Sequence, residues 1–282
     1  MPSLPLSSSV LDAGQAADAR LAAEFAGGRT TLRRQHIGYP LHVTRGFYLD
    51  RGRPDLLTLY LQSASGGLYS GDRLRLEVAV GANAALHLTT QAATVVHDGQ
   101  NAASTQEVRI SVATGAFCAI SSDPYVMFPG ANLSLDTVAV VADGAVLFIA
   151  DGIALHDPKG MGRSFRQYAG RQRVLRPDGR LLVQDSGRIT GEQLLKGPLG
   201  TLAATATALL IAPLDKLPSL ESLVEAADSC GCMAGASDTP NQAGRVMRIL
   251  APNGGALVRA MESAFHVAAR AALGVELSRR RK

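Results

Sequence analysis

The sequence predicts a mainly β protein, a layered or β-helix-like stack of β-hairpins with about two α-helices near its C-terminus. Three observations lead there. Apolar and polar residues alternate with period two through the middle of the chain, the pattern of a strand with one face buried and one wet. Leu74, Leu76, Val78 and Val80 alternate with Arg73, Arg75, Glu77 and Ala79, and Val108, Ile110 and Val112 with Glu107, Arg109 and Ser111. A weak repeat follows, in which an apolar strand meets Gly-Ala and a second apolar strand ends in polar residues. Its copies are Val78 to Gln91 around Gly81-Ala82, Ile110 to Asp123 around Gly115-Ala116, and Val138 to Asp151 around Gly144-Ala145. Such units stack so that each covers the open face of the last. Helical periodicity, the third observation, is confined to the C-terminal third.

Taken in order, Ala16 to Ala26 is ambiguous: its alanines favour helix, while Leu21, Ala23 and Phe25 alternate as in a strand. Asp98-Gly99, Asp143-Gly144 and Pro177-Asp178-Gly179 carry turn chemistry. His87 alternates with Leu86 and Leu88 and reads as an outward strand residue. In a stack, the strand ends Thr89-Thr90-Gln91, Ser121-Ser122-Asp123 and Ala150-Asp151 align polar groups along one side. Leu217, Leu220, Leu223, Val224 and Ala227 fit one helix face, with Pro218 in the first turn or Ser219 as N-cap. Ser229 to Gly244 is rich in small and polar residues and reads as an exposed loop. A second helix is expected from about Gly255 to Leu273, stopped by Gly274. The economical organisation is one domain over 1–282, with 1–15 disordered and 275–282 a basic tail.

Composition narrows the function classes. Hydrophobic residues make up 46% and charged residues 18%, which suits a folded chain and argues against extended disorder. The three cysteines, Cys118, Cys230 and Cys232, form neither an even framework nor a paired zinc pattern, so a reducing, cytoplasmic setting is expected. A net charge of +4 without aromatic-interleaved basic stretches gives no nucleic-acid signature. No apolar run reaches the roughly 18 to 20 residues of a membrane span.

Catalytic motifs are missing or broken. Gly67-Leu68-Tyr69-Ser70-Gly71 has two residues before the serine, where a nucleophile elbow has one. No phosphate-binding loop is present. Cys230-Gly231-Cys232 offers two soft ligands, and His97-Asp98 and His156-Asp157 offer harder ones, but none has a third ligand nearby in sequence. More informative is Ser65 to Leu74, where Gly66, Gly67 and Gly71 precede Asp72 at the mouth of an alternating strand. Three glycines exceed what a hairpin turn needs. Asp151 and Asp185 likewise follow apolar strand patterns. Each carboxylate is either a turn residue bonding its own loop amides or a partly buried group held for a purpose.

The run Gly66-Gly67-Leu68-Tyr69-Ser70-Gly71-Asp72, followed by Leu88-Thr89-Thr90-Gln91-Ala92-Ala93-Thr94, resembles the urease accessory protein family UreD, also called UreH. Arg29-Thr30-Thr31-Leu32, Pro40-Leu41-His42-Val43, Phe128-Pro129-Gly130-Ala131, Ala234-Gly235-Ala236-Ser237 and Arg245-Val246-Met247-Arg248 extend the resemblance. It implies a non-enzymatic, mostly β scaffold that binds UreF and through it the GTPase UreG, and that helps deliver nickel to apo-urease through an internal passage. No tightly bound cofactor is implied, only nickel in transit. Carried over by position, Asp72, Asp151 and Asp185 become polar lining of that path. Gly66, Gly67, Gly71, Thr89 and Thr90 become its structural motif. The resemblance also favours a strand for Ala16 to Ala26. The chain departs from the family at Ala64-Ser65, where Pro-Pro is usual, and at Ala150, where Trp is common. Two other functions stay open: an interaction scaffold without metal transit, and a β-scaffold enzyme using Asp72 and Asp151 as acid and base.

Overall fold

The computed structural model describes residues 14–100, 102–196 and 202–279. Residues 1–13 of the expected disordered start and 280–282 of the basic tail lie outside them. The chain runs through β1 (Ala16–Ala26), β2 (Arg29–Ile37), β3 (Leu41–Val43), β4 (Leu57–Ser63), β5 (Arg73–Val80), β6 (Ala85–Thr90), β7 (Val95–Val96), β8 (Ser104–Val112), β9 (Phe117–Ser121) and β10 (Tyr125–Met127). It continues through β11 (Asn132–Val141), β12 (Val146–Leu155), β13 (Gln167–Leu175), β14 (Leu181–Ile189), α1 (Gly191–Leu195), β15 (Ala204–Ile211), α2 (Leu220–Asp228), β16 (Met233–Asp238), β17 (Gly244–Ala251) and α3 (Gly254–Leu273). Ala16 to Ala26 is a strand, so cross-strand pairing with β2 and β5 outweighs the helix propensity of its alanines.

The β-helix-like stack is present, and its unit is an arc between two sheets. One sheet has the order β14-β13-β11-β8-β5-β1-β2; the other runs β16-β17-β15-β12-β9-β6-β4-β3. β5 and β6 therefore belong to different sheets, as do β8 and β9, and β11 and β12. Hydrogen bonding is instead parallel between successive copies, β5 to β8 to β11 and β6 to β9 to β12. The register stacks like positions: Val78, Ile110 and Ala139 in one column, Leu88, Ile120 and Ile149 in the facing one. All six are buried in the core between the sheets.

The Gly-Ala positions form the corners. Ala84 N–H bonds Gly81 O, Ala116 N–H bonds Ala113 O and Ala145 N–H bonds Ala142 O, and each turn has a left-handed residue, Asn83, Gly115 or Gly144. The corners also bond one another along the stack, through Phe117 N–H to Ala84 O and Val146 N–H to Ala116 O.

A second core lies on the far face of the larger sheet. There α2 and α3 cover Phe117, Phe148, Leu210 and Met247. The side chain of Ser219 caps α2 by accepting from Ser222 N–H, Asn253 caps α3 at Ala256 N–H, and Gly274 ends α3 at φ 72°. This layer corrects two expectations. His87 points away from the first core, yet it is 3% exposed, because its ring stacks on Phe265 of α3 at 4.3 Å and its Nε2 meets Ser121 Oγ at 2.7 Å. Alternation assigns a face to a residue and says nothing of what covers that face. Ser229 to Gly244, read as a loop, contains β16, which gains regular backbone pairing from β17 despite its small residues.

Phe265 joins α3 to the sheet, contacting Phe148 as well as His87. Phe265→Ala should cost about 3–5 kcal/mol of unfolding free energy, read by urea titration, through lost burial and the cavity left behind.

Candidate functional site

Two of the three candidate carboxylates converge between the sheets, and the third stands apart. In β12 the inward positions are Ile149, Asp151 and Ile153, so Asp151 projects into the space that the apolar columns otherwise fill. Its Oδ1 accepts from Tyr168 Oη at 3.1 Å and its Oδ2 from Gln172 Nε2 at 2.6 Å. Gly170 makes room for this: a Cβ there would lie 2.8 Å from the Tyr168 hydroxyl. In the register, Gln172 faces Asp185 across β13 and β14. Asp185 accepts from the Arg248 guanidinium, which also donates to Thr207 Oγ1. Thr207 in turn pairs with Asp151 in the sheet.

On the other side of Asp151 stands Tyr125, whose hydroxyl donates to Gln106 Oε1 and feels the Asp151 charge. Gln106 and Tyr125 also line a cavity of about 730 Å³. Its wall includes Gly66, Gly67, Thr90 and Gln91, so part of the glycine and threonine motif lies at its margin. Three bonded groups thus succeed one another from this cavity outward and form a polar line: Gln106 with Tyr125, then Tyr168 and Gln172 on Asp151, then Asp185 with Arg248, where half the Arg248 side chain is exposed (51%).

Burial pushes the Asp151 carboxyl above its ordinary range; hydrogen bonds from Gln172 and Tyr168 oppose this, Asp185 adds to it and Arg248 offsets it. Asp151 nevertheless keeps partial solvent-accessible surface, as does Tyr168. Tyr168 is raised well above its usual value, first by burial and then by the Asp151 charge, so its hydroxyl stays a donor.

Asp72 belongs to the glycine loop itself. Its Oδ1 accepts from Gln15 N–H and its Oδ2 from Tyr69 N–H, both at 2.8 Å, while its carbonyl accepts from Thr105 N–H. Gly71 takes a left-handed φ of 78°, Gly14 packs against it so closely that a Cβ on Gly14 would meet the Gly71 backbone, and Gly67, at φ 135°, passes too close to Val95 O to carry a side chain. Thr89 Oγ1 donates to Ser121 O, and Thr90 Oγ1 accepts from Asp123 N–H, tying successive coils together. No contact joins Asp72 to Asp151.

The remaining candidates are occupied by their loops. The ring of His97 stacks on Tyr69 at 4.4 Å and its Nε2 lies 3.1 Å from Gly66 O. Asp157 accepts from the N–H groups of Arg163, Lys159 and Met161 and from the Arg163 guanidinium, which hold its carboxyl down at about 2. Cys230 and Cys232 are free thiols, and among the described residues no group of three or more His, Cys, Asp or Glu stands close enough to hold a metal ion. Sequence reasoning missed Gln106, Tyr125, Tyr168, Gln172, Thr207 and Arg248, which meet only across strands. One local signal was present, a glycine inside the β13 strand pattern.

Two outcomes follow from this geometry. Asp151 has a raised folded pKa, so its protonated form favours the native state, and the contribution is lost as pH rises from the unfolded carboxylate value of about 4 through the folded one. Asp151→Asn should therefore flatten the fall in melting temperature that the wild type shows as pH rises above about 4. Asp72→Asn replaces one of the two accepting oxygens by an NH2 donor, leaving the N–H of Gln15 or Tyr69 without an acceptor, and should cost about 1–3 kcal/mol, measured by chemical denaturation.

The family model described as UreD urease accessory protein matches residues 15–282. The chain is 63% identical over 278 residues to urease accessory protein UreD 3 of Bradyrhizobium sp. (strain ORS 278), covering 99% of each. It is 43% identical over 260 residues to UreD 1 of Methylorubrum extorquens (strain PA1), covering 91% of this chain and 88% of that one. UreD 1 of Pseudomonas syringae pv. syringae is 31% identical over 246 residues, 84% of this chain and 85% of the relative. Motif, fold and these likenesses agree over nearly the whole length, and the chain belongs to the urease accessory protein UreD family.

Proposed function

We propose that this chain is a non-catalytic, cytoplasmic scaffold of urease maturation, folded as one domain. It binds a UreF-like accessory protein, and through it a UreG-like GTPase, and passes nickel to apo-urease through its interior. The observation that carries the passage is the polar line from the 730 Å³ cavity to the partly exposed Asp185 and Arg248. Every group on it is an oxygen, amide or guanidinium. Oxygen and amide ligands hold a late divalent metal more loosely than a set of thiolates would, which suits an ion that must move on.

Along this line Asp151 supplies the enclosed negative charge. A divalent cation arriving there competes with the proton that burial favours. Tyr168 and Gln172 fix the direction of its two oxygens. Asp185 can receive the ion once Arg248 releases it, and Thr207 gives the guanidinium a second acceptor. Asp72 acts indirectly, shaping the Gly66-Gly67 margin of the cavity through its bonds to Tyr69 and Gln15.

The test is co-expression with the UreF-like and UreG-like proteins and urease of the same organism, reading complex formation and nickel-dependent urease activity separately. Asp151→Ala and Asp185→Ala should leave the complex intact and lower activation at least about tenfold, the scale on which loss of a metal-handling group is felt. Failure of the wild type to form any complex would overturn the scaffold reading. Full activation by both variants would overturn the passage and leave a scaffold alone.

A further inference from the structure

Four strands end the main paths of the two sheets, and three are blunted; a side branch of the larger sheet ends in β7, which has only 2 residues. β2 and β14 border the smaller sheet, β3 and β16 the larger. An exposed edge presents unpaired N–H and C=O groups, and proteins protect such edges with charges, bulges or short strands. β2 carries Arg29, Arg33 and Arg34, and its pairing with β1 breaks register at Ala22/Ala23. β14 carries Asp185 and Arg188, and its pairing breaks register at Val174/Leu175. β3 has only 3 residues.

β16 has six residues, no break in register and a single charge, Asp238, at its last position. Met233-Ala234-Gly235-Ala236-Ser237 contains no charge and no proline, and its register with β17 is unbroken to Asp238. Thr239 N–H bonds Gly244 O at 2.9 Å, which sets the phase of the antiparallel ladder. By the alternation of such ladders, Ser237, Gly235 and Met233 exchange bonds with β17. The backbone groups of Ala234, Ala236 and Asp238 then point away from the sheet. Met233 is 51% exposed, and among the described residues β16 pairs with no strand but β17.

Charge indicates what this edge takes. α2 packs on β16 and presents Glu221, Glu225 and Asp228 on one exposed face, and none of the three has a cationic partner among the described residues. A second copy pairing antiparallel through β16 would set two such acidic rows on one face, and a parallel pairing, which puts the helices on opposite faces, would oppose the two Asp238 carboxylates. We propose that the free edge of β16 receives an extended segment of a partner protein by strand addition, with Lys or Arg in that segment turned toward α2. Main-chain bonds to Ala234, Ala236 and Asp238 provide attachment, and the acidic helix selects the sign of the partner.

The full-length chain is titrated with a fluorescent peptide of about six residues alternating Lys and Val, and with its Glu-for-Lys counterpart. Ala236→Pro removes one outward N–H and no bond to β17, so melting should be unchanged while affinity for the Lys peptide falls at least about tenfold. Ser237→Pro, which removes a ladder bond, should instead lower the melting temperature. If Ala236→Pro does not fold, amide exchange on the wild type gives the answer, with Ala234, Ala236 and Asp238 slowing when the Lys peptide is added. Equal binding by Ala236→Pro, equal or tighter binding of the Glu peptide, or no slowing at these amides would overturn the proposal. So would a wild-type dimer in sedimentation that Ala236→Pro dissolves, since a second copy would then own the edge.

Discussion

Parallel pairing between successive coils is the constraint on which the rest of the molecule depends. A strand such as β8 can satisfy its N–H and C=O groups only through β5 on one side and β11 on the other, so each coil must repeat the path of its neighbour. That requirement propagates to the corners. The turns at Asn83, Gly115 and Gly144 must place a left-handed residue at equivalent points, because any other geometry would shift the register of both sheets. The glycine-rich corner around Gly67 and Gly71 leads into β5, which pairs in parallel with β1 on its other side, and Asp72 ties that corner to the start of β1 by accepting from Gln15 and Tyr69.

Stacking also explains why polar residues can occupy the interior. Once columns are in register, a polar side chain in one coil stands beside the same position in the next, and isolated polar groups become a connected line. Asp151, Tyr168, Gln172 and Asp185 come from β12, β13 and β14; Tyr168 and Gln172 donate to the Asp151 carboxylate, which alone would be costly to bury, and Arg248 donates to Asp185. The result is not a neutral core. Asp151 retains accessible surface and a charge that burial disfavours.

The central strands of the larger sheet are buried on both faces. Alanines of α3 pack closely on Phe117, Ala119 and Phe148, while the opposite face carries the apolar columns of the first core, with Asp151 in line with them. His87 and Phe265 belong to the first of these environments, in spite of the polarity of the histidine.

Much of the fold was legible in local sequence. Alternation marked β5 and β8, capping residues placed α2 and α3 to within a residue at Ser219 and Gly274, and the Gly-Ala repeat announced the stack. These signals are short-range, set by side-chain periodicity and backbone preference. The family, too, was readable from the glycine loop and its flanking motifs. What local sequence could not settle was pairing between distant segments: that β5 and β6 lie in different sheets, that β16 exists, that His87 is covered. Asp151 and Asp185 were visible as carboxylates at strand ends, but Gln106, Tyr125, Tyr168, Gln172 and Arg248 became a site only when parallel register brought them together. Residue types and periods fix what each strand can do; which strand stands beside it is a long-range contact, and only the tertiary structure decides that.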